Sequence, residues 1–490
     1  MFKFALPVLD VTTLAPLAVV ALTGLIALII ELVAPKRNNN AIVIASLAGL
    51  GLALLMLAMG YGPDGVESAS GTLVRDSIGT ALQSIMVLGT ALVVLVSEPY
   101  LRERRIPFAE FYPLVLWSTV GGMLMVGTKN LLLVFLGLEI LSIAIYVMAG
   151  MNRGEARSGE SALKYFLLGA FASSFLLYGI ALFYGATGSL SLDAIPYRAT
   201  GLPYTLLLIG LAMMLVGLSF KSSFAPFHQW TPDVYQGAPT NVTAFMATVS
   251  KVAALGALYR VLEAYGPYFS AWAPLVGGLA ILTMVVGNAA ALAQRDVKRI
   301  LGYSSVAQAG YVLVAIVAHA KAPAQVGGQS VVFFLLSYVL TTVGTFAVVG
   351  LSARGTEEPT SLESLHGLGR RSPLAAAALA FFALSLIGLP PLGGFFGKFY
   401  VLADALRAGI PSLAIVLALT SALSVIYYLR LARAPYVETD VTTVAPAPSA
   451  ATRATLLLCG LGVLTVVAFS APLFNAMGLL PSSGSPVVQR

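Results

Sequence analysis

Four lysines stand inside long apolar runs of this 490-residue chain: Lys164, Lys221, Lys251 and Lys398. A further ionisable side chain, Glu139, lies in the middle of the run LLLVFLGLEILSIAIYVM, with no other charge around it. Because a lysine at the centre of a bilayer costs roughly 2.5–3.5 kcal/mol, these side chains are expected to face the interior of a helix bundle. Burial there penalises the charged ammonium, and a nearby carboxylate favours it. A buried lysine with a movable acid partner is therefore a switchable proton site.

Three of these five residues receive a predicted role from their position within the apolar run. Glu139 is the acid partner, since intramembrane carboxylates usually mark ion or proton paths; the alternative is a packing contact with a neighbouring helix. Lys251 lies mid-run and is predicted to be a proton relay. Lys164 opens its apolar run and is predicted to be an auxiliary site, close enough to the membrane surface for its ammonium to reach water.

A proline beside Lys221 predicts a broken helix. In LSFKSSFAPFHQWTPDVYQGAPT, Pro226 has no N–H to donate and clashes with the carbonyl of Ser222, so the helix must break or kink there. Transporters build midplane ion sites from a break beside a charged side chain. His228 either extends a proton path from this break or is a hydrogen-bonded structural histidine.

A second break is predicted in LSLIGLPPLGGFFGKFYVLADA. Pro390 and Pro391 free the carbonyls of Leu386 and Ile387, and three glycines loosen the chain that follows. Lys398 stands one or two turns beyond. Two prolines, three glycines and an ionisable side chain together favour a functional break over a purely structural one.

The elements that must position these residues are membrane helices. The chain is 58% hydrophobic and 10% charged, whereas soluble domains carry roughly 25% charged residues, and its mean hydropathy is +0.90. These values indicate an all-α, polytopic integral membrane protein and exclude a nucleic-acid reader. The apolar runs predict fourteen helices, at 8–33, 41–60, 77–97, 111–127, 130–149, 162–185, 203–224, 239–263, 270–293, 300–319, 329–352, 374–407, 411–433 and 454–474.

The loop charges predict an orientation. Sixteen lysines and arginines fall in loops on one side of this arrangement and eight on the other, termini included. The positive-inside rule places the richer side in the cytoplasm and both termini in the periplasm. We therefore expect a multi-pass protein of the bacterial inner membrane.

The helices also suggest an internal duplication. Residues 111–263 (helices 4–8) and 270–433 (helices 9–13) each hold five spans with a broken helix fourth. Because five is odd, the two repeats insert in opposite orientations. They are preceded by helices 1–3 (1–110) and followed by helix 14 and a tail (434–490).

Cofactor and metal sites are not expected on this chain. It has one cysteine, Cys459, in an apolar run, and its three histidines are too scattered for a haem pair or a metal box. No role is assigned to His319 or His366. The sequence also has no Walker lysine loop and no dinucleotide fingerprint.

Three runs resemble one family. FKSSFAPFHQWTPDVYQGAPTNVTAFMATVSKVAALGALYR, RDVKRILGYSSVAQAGYVL and GLPPLGGFFGKFYVL are similar to the antiporter-like membrane subunits of respiratory complex I, the NADH-quinone oxidoreductase. The similarity extends over nearly the whole chain and is nearest to the branch that includes mitochondrial subunit 2. A lysine at 398 in place of glutamate, and no long lateral helix after span 14, distinguish it from the sibling branches.

The resemblance implies a function and a set of sites. It implies fourteen helices, two inverted five-helix repeats and breaks in helices 7 and 12, with proton translocation coupled to quinone reduction on other subunits. The family's functional positions fall on Glu139, Lys221, Lys251 and Lys398. NADH, flavin, iron–sulfur clusters and quinone would be bound elsewhere in the complex, and the partners would be other membrane-arm subunits, lipids, water and protons.

Two alternative functions remain at this stage. One is a subunit of a multisubunit cation/proton antiporter, which would use the same lysines. The other is a scaffold subunit that does not pump and whose ionisable residues are vestigial.

Overall fold

A computed structural model describes residues 10–33, 40–60, 65–69, 71–106, 109–352, 358, 360–438, 448–468 and 470. A short antiparallel hairpin pairs β1 (Val66–Ser68) with β2 (Leu73–Arg75), and the other regular elements described are helical. The α-helices are α1 (Val11–Val33), α2 (Asn40–Met59), α3 (Ser77–Arg104), α4 (Phe111–Val126), α5 (Leu131–Ala149), α6 (Ala156–Thr187), α7 (Gly201–Ser222), α8 (Trp230–Gly237), α9 (Thr240–Ala247), α10 (Val249–Ala264), α11 (Phe269–Ala293), α12 (Val297–Lys321), α13 (Gln329–Val349), α14 (Leu368–Arg371), α15 (Pro373–Ile387), α16 (Gly393–Arg407), α17 (Pro411–Arg433) and α18 (Ala450–Ala468).

The outer surface of the bundle is apolar. Twelve helical stretches in the described ranges are long and apolar enough to cross a membrane, and α4 and α15 are shorter apolar helices. Large apolar side chains such as Leu22, Leu167 and Leu419 are more than half exposed, as in a protein whose solvent is lipid. The expectation of an all-α, multi-pass membrane protein is therefore confirmed at this level.

Three stretches form the centre of the bundle. The α9–α10 stretch, α12 and α13 are almost completely buried, whereas α1, α6 and α18 expose most of their surface. Backbone groups surrounded by lipid or protein must be satisfied within helices, and polar side chains are affordable only where protein surrounds them. The central helices are accordingly the ones that carry Lys251, Ser305 and Gln308 among their buried residues.

Helix boundaries differ from the predicted limits where polar residues continue a helix beyond the apolar run. The third helix continues past the predicted 97 to Arg104, and the sixth begins at Ala156 instead of 162. The predicted span 239–263 is interrupted at Thr248 (φ −116°, ψ −83°), between α9 and α10. The outer ends of the predicted first and last spans, and both termini, lie outside the described residues.

The two ends of the bundle differ in charge. Arg102, Arg299 and Arg430 lie at what we call the arginine-rich end, where α3 and α17 end and α12 begins. Lys298, predicted as a loop cation, is instead buried in the first turn of α12 and donates to the Ala238 carbonyl at 2.6 Å. The prediction failed because the apolar run begins only after the helix has started.

At the opposite, arginine-poor end, an ion pair ties α3 to α10. The Arg260 guanidinium donates to both carboxylate oxygens of Asp76 at 2.8 Å, while Arg260 Nε donates to the Val126 carbonyl. Asp76 also caps α3 by accepting from the Gly79 N–H. Burial disfavours the charged form of Asp76, but the guanidinium outweighs this effect and lowers the pKa of the carboxyl. The pair therefore stabilises the fold at neutral pH, and this contribution is lost as the pH falls below about 4.

Replacing Asp76 with Asn should destabilise the protein by about 3 kcal/mol, because a buried guanidinium would lose its counter-charge. The measurement is the apparent Tm in detergent at pH 7. Asp193→Asn is the matched control at the same end, since Asp193 pairs with Lys129 at 3.1 Å but is 58% exposed, and it should cost less than about 1 kcal/mol. Equal losses in the two variants would contradict this assignment.

Candidate functional site

The first break separates α7 from α8. Helix α7 ends at Ser222, Ser223 adopts a left-handed conformation (φ 64°), and Pro226 keeps the following residues out of the helix. The Trp230 indole N–H at the start of α8 donates to the carbonyl of Phe220 at 2.9 Å, which satisfies one of the freed acceptors at the helix end. This arrangement leaves Lys221 in the last turn of α7, beside an irregular stretch of backbone.

Neutral oxygen atoms surround the Lys221 ammonium. Lys221 is 2% exposed, and its Nζ donates to the Ser142 hydroxyl at 2.7 Å and to the Tyr165 hydroxyl at 3.1 Å. The Tyr165 ring stacks on Trp230 with centroids 4.3 Å apart. Among the residues that the structure describes, no carboxylate oxygen lies within 4.0 Å of this ammonium.

Glu139 shares a helix face with the partner of Lys221. It lies three residues before Ser142 on α5, so the two side chains project from the same side of the helix. Its Oε1 is buried and accepts no hydrogen bond within the described structure. Close packing of α5 on α4 fixes its depth, because a Cβ on Gly137 would lie 2.6 Å from the Gly121 carbonyl oxygen. The acid therefore lies about one turn from the hydroxyl that contacts Lys221, and within the described residues it forms no ion pair with that lysine.

Lys251 lies at the centre of the bundle. It is 2% exposed, and its Nζ donates to the backbone carbonyl of Ser305 on α12 at 2.8 Å. The interruption at Thr248 lies less than one turn before it. On the same stretch of α12, the Ser304 hydroxyl and the Gln308 amide both contact the Tyr428 hydroxyl of α17.

The second break, between α15 and α16, holds Lys398. Its Nζ donates to the carbonyls of Leu386 and Ile387, both at 2.8 Å, and to the Ser421 hydroxyl at 3.0 Å. These two carbonyls are the ones that Pro390 and Pro391 deprive of their helical donors. The lysine thus replaces the lost backbone N–H groups and stays in place without a carboxylate.

A small cavity adjoins this lysine. Its polar lining includes Gln308, Ser337, Thr341 and Ser385. The volume that the centre of a water molecule can occupy is about 10 Å³. That space suits about one water molecule, and the surrounding hydroxyl and amide groups supply the partners that a buried water needs. The cavity lies between α12, which carries the partner of Lys251, and the break that holds Lys398.

Comparison with known proteins identifies the family. Residues 128–424, which include Glu139 and all four lysines, match the NADH:quinone oxidoreductase/Mrp antiporter transmembrane family. The chain belongs to this family. A similar protein in Trichlorobacter lovleyi, named NADH-quinone oxidoreductase subunit N, is 41% identical over 86% of the length of each chain. A similar protein in Sorangium cellulosum, named NADH-quinone oxidoreductase subunit N 1, is 41% identical over 97% of each chain.

Solved structures agree with this assignment. A chain of respiratory complex I from Thermus thermophilus superposes with a TM-score of 0.81 at 39% identity, covering 94% of this chain and 99% of that one. A chain of the Mrp complex from Dietzia has a TM-score of 0.79 at 21% identity, covering 95% and 96%. The second likeness concerns the fold alone.

Two predicted site residues of this antiporter-family chain, Lys164 and His228, make no hydrogen bond or ion pair with Lys221, Lys251 or Lys398 within the described residues. Lys164 is 44% exposed and pairs with Glu160 at 2.6 Å and Asp233 at 3.2 Å. His228 lies in the first break, with its ring 6.1 Å from that of Tyr303. Its Nδ1 is buried and has no hydrogen-bond partner in the described part of the chain.

Sequence reasoning missed the uncharged partners of the lysines in this family member. Ser142 had a detectable signal, because it follows Glu139 by three residues on the same helix. Tyr165, Gln308 and Tyr428 had none, since single hydroxyls and amides are common in membrane helices. Within the described ranges, no group of three or more His, Cys, Asp and Glu side chains could hold a metal ion.

Tyr165→Phe should slow proton transport by roughly fivefold, since it removes one hydrogen bond at the Lys221 ammonium, worth on the order of 1 kcal/mol, and keeps the ring on Trp230. Proton uptake into inverted vesicles, normalised to the amount of assembled protein, measures the effect. Tyr178→Phe on the exposed face of the same helix is the control and should behave as wild type. A wild-type rate in Tyr165→Phe would remove this hydroxyl from the site.

Proposed function

We propose that this chain is a proton-translocating membrane subunit of an NADH-quinone oxidoreductase. The observation that carries the proposal is that three of the predicted lysines, Lys221, Lys251 and Lys398, are buried and that their ammonium groups donate hydrogen bonds to neutral oxygens and form no ion pair within the described structure. The assignment to this complex rests on relatives that are named NADH-quinone oxidoreductase subunit N and that match nearly the whole chain. NADH oxidation and quinone reduction would then occur on other subunits, and this chain would carry no redox centre.

The chemistry follows from the partners of the lysines. Hydroxyl and carbonyl oxygens stabilise an ammonium less than a carboxylate does, so burial leaves each lysine ready to lose its proton. If the Glu139 carboxylate moves towards Lys221, the ammonium form is favoured and a proton is taken up. If it withdraws, desolvation dominates and the proton leaves.

Protons would pass from Lys221 to Lys251 and then to Lys398. The α12 residues Ser304, Ser305 and Gln308 lie between the second and third lysines, and the water-sized cavity adjoins Lys398. His228 and Lys164 would contribute at the ends of this path. A lysine, a hydroxyl and a water molecule can each accept a proton and pass one on.

The proposal includes fourteen spans in two inverted repeats, 111–263 and 270–433, between helices 1–3 (1–110) and 434–490. The short helix α4 and the broken pair α15–α16 would each count as one span. A glycine-mediated contact supports the correspondence of the repeats, since α4 packs on α5 through Gly121 and Gly137. Helix α11 also packs closely on α12 at glycines, where Gly287 faces Ala307 and Gly310 faces Met284.

Two alternatives separate experimentally from this function. A cation/proton antiporter subunit would purify without flavin- or iron–sulfur-containing partners, whereas a complex I subunit would purify with them. A scaffold subunit would tolerate loss of its buried lysines. The buried lysines argue against the scaffold, because each costs several kcal/mol that a purely structural subunit has no reason to retain.

Glu139→Gln and Lys221→Ala should each reduce NADH-driven proton pumping several-fold while the complex still assembles, because each removes one member of the proton switch. Lys398→Ala should do the same at the second break. Glu103→Gln, an exposed carboxylate in the last turn of α3, is the control. Wild-type pumping in both Glu139→Gln and Lys221→Ala would exclude the switch.

We also propose that the arginine-rich end is cytoplasmic and that the protein resides in a bacterial inner membrane with both termini periplasmic. An alkaline phosphatase fused to the C-terminus should therefore be active. A reporter that works only in the cytoplasm should be silent at the same position. The reverse pattern would show that the number of spans is odd or the orientation opposite.

A further inference from the structure

A histidine without a role in the path above lies at the arginine-poor end. His319, in the last turn of α12, is 6% exposed. Its Nδ1 lies 2.7 Å from the Val326 carbonyl oxygen, and its Nε2 lies 2.8 Å from the Tyr259 hydroxyl and 3.2 Å from Glu263 Oε1. The Tyr259 ring also stacks on the imidazole, with centroids 4.7 Å apart.

These partners define where the protons of His319 can be. A carbonyl oxygen only accepts, so Nδ1 must carry a hydrogen. In the neutral imidazole, Nε2 then accepts from the Tyr259 hydroxyl. In the imidazolium, Nε2 donates to the Glu263 carboxylate. Both protonation states are therefore hydrogen-bonded in the same geometry, which is what a site that binds and releases a proton requires.

One partner connects the imidazole to the outside. Glu263 is one turn beyond Tyr259 on α10, and its side chain is 47% exposed. Its carboxylate therefore contacts both His319 and the aqueous surface. A proton on Nε2 can move to Glu263 Oε1, breaking an N–H bond and forming an O–H bond, and the carboxylic acid can then release it to water.

Another carboxylate faces the interior. Asp404 on α16 is 1% exposed, and its Oδ2 has no hydrogen-bond partner within the described residues. It lies six residues after Lys398, about 9 Å along the helix, and it interacts electrostatically with His319. Contact between Ala318 and Ala408 holds the outer ends of α12 and α16 together.

We propose that His319 and Glu263 form the release site through which protons leave the path after Lys398, with Asp404 as the inner carboxylate. This inference rests on the proposed function and names its exit. The titratable side chains around the imidazole are Tyr259 and Glu263 on α10, Asp404 and Arg407 on α16, and Lys321 on α12 itself, with the Asp76–Arg260 pair beyond Tyr259. Glu263 is the carboxylate that contacts the imidazole directly and is also exposed at the surface of the bundle.

The test uses the assembled complex in inverted vesicles, whose lumen corresponds to the release side. NADH-driven acidification of the lumen is measured against lumenal pH in His319→Gln, Glu263→Gln and His366→Gln. Glutamine retains a polar side chain at 319 but cannot carry a proton as an imidazolium does. His319→Gln should lower the rate at least fivefold at lumenal pH 7 and weaken the dependence of the rate on lumenal pH, because residue 319 no longer carries an exchangeable proton. His366→Gln, a substitution of the same type at the other end, should leave both unchanged.

Glu263→Gln keeps the assay informative if His319→Gln does not assemble, because residue 263 is half exposed. Without the carboxylate Nε2 loses the acceptor that reaches the surface, so Glu263→Gln should also lower the rate several-fold and change its dependence on lumenal pH. An assembled His319→Gln complex with the wild-type rate and profile, or an unchanged rate and profile in Glu263→Gln, would overturn the release site. If Lys398→Ala is impaired in the same vesicles, the proposed function survives that outcome. If Lys398→Ala, Glu139→Gln and Lys221→Ala all pump normally, the proposed function itself fails.

Discussion

Backbone groups in this bundle must find their hydrogen-bond partners within the protein, because lipid offers none. The two helix breaks create unpaired carbonyls, and the buried lysines create unpaired donors. The structure pairs these donors with these acceptors most directly at the second break, where the Lys398 ammonium donates hydrogen bonds to the carbonyls of Leu386 and Ile387. A helix can therefore be broken and a lysine buried at the same depth for less than the two costs taken separately. This mutual satisfaction explains why break and lysine occur together.

The sequence predicted those features that depend on local chemistry. Apolar runs gave the helices, Pro226 and the Pro390–Pro391 pair gave the breaks, and the depth of each lysine within its run indicated burial for Lys221, Lys251 and Lys398. Lys164 begins its run, which predicted that its ammonium reaches the surface, and its side chain is 44% exposed. Helix ends were harder to predict, because Lys298 and Arg104 belong to helices that extend beyond their apolar runs. Both side chains are buried and pair with the Glu358 carboxylate.

The partners of the lysines could not be predicted, because they are set by helix packing. Tyr165 lies 56 residues from Lys221, and nothing in its own surroundings distinguishes it from other hydroxyls in membrane helices. Ser142 lies 79 residues away and is marked only by its place three residues after Glu139. Sequence alone also gives no role to His319, which stands between two alanines near the end of an apolar run. Its significance arises from α10, which brings a phenol and a carboxylate to the same ring nitrogen. A sequence shows which residues can carry a charge, but only the fold shows which side chains meet at one atom, such as Nε2 of His319.

The two breaks use their lysines differently, although both follow from prolines. At the first break the indole of Trp230 satisfies a freed carbonyl, so the Lys221 ammonium is left to the hydroxyl groups of Ser142 and Tyr165. At the second break the lysine itself satisfies the backbone, because it donates to the carbonyls of Leu386 and Ile387, and no acid precedes Asp404 on its helix. The two breaks therefore differ in what holds the ammonium, which is a pair of side-chain hydroxyls at the first and mainly backbone carbonyls at the second. Under the proposed function, a carboxylate that moves towards Lys221 would change the proton affinity of the first site, whereas the backbone carbonyls at the second site offer no such movable partner.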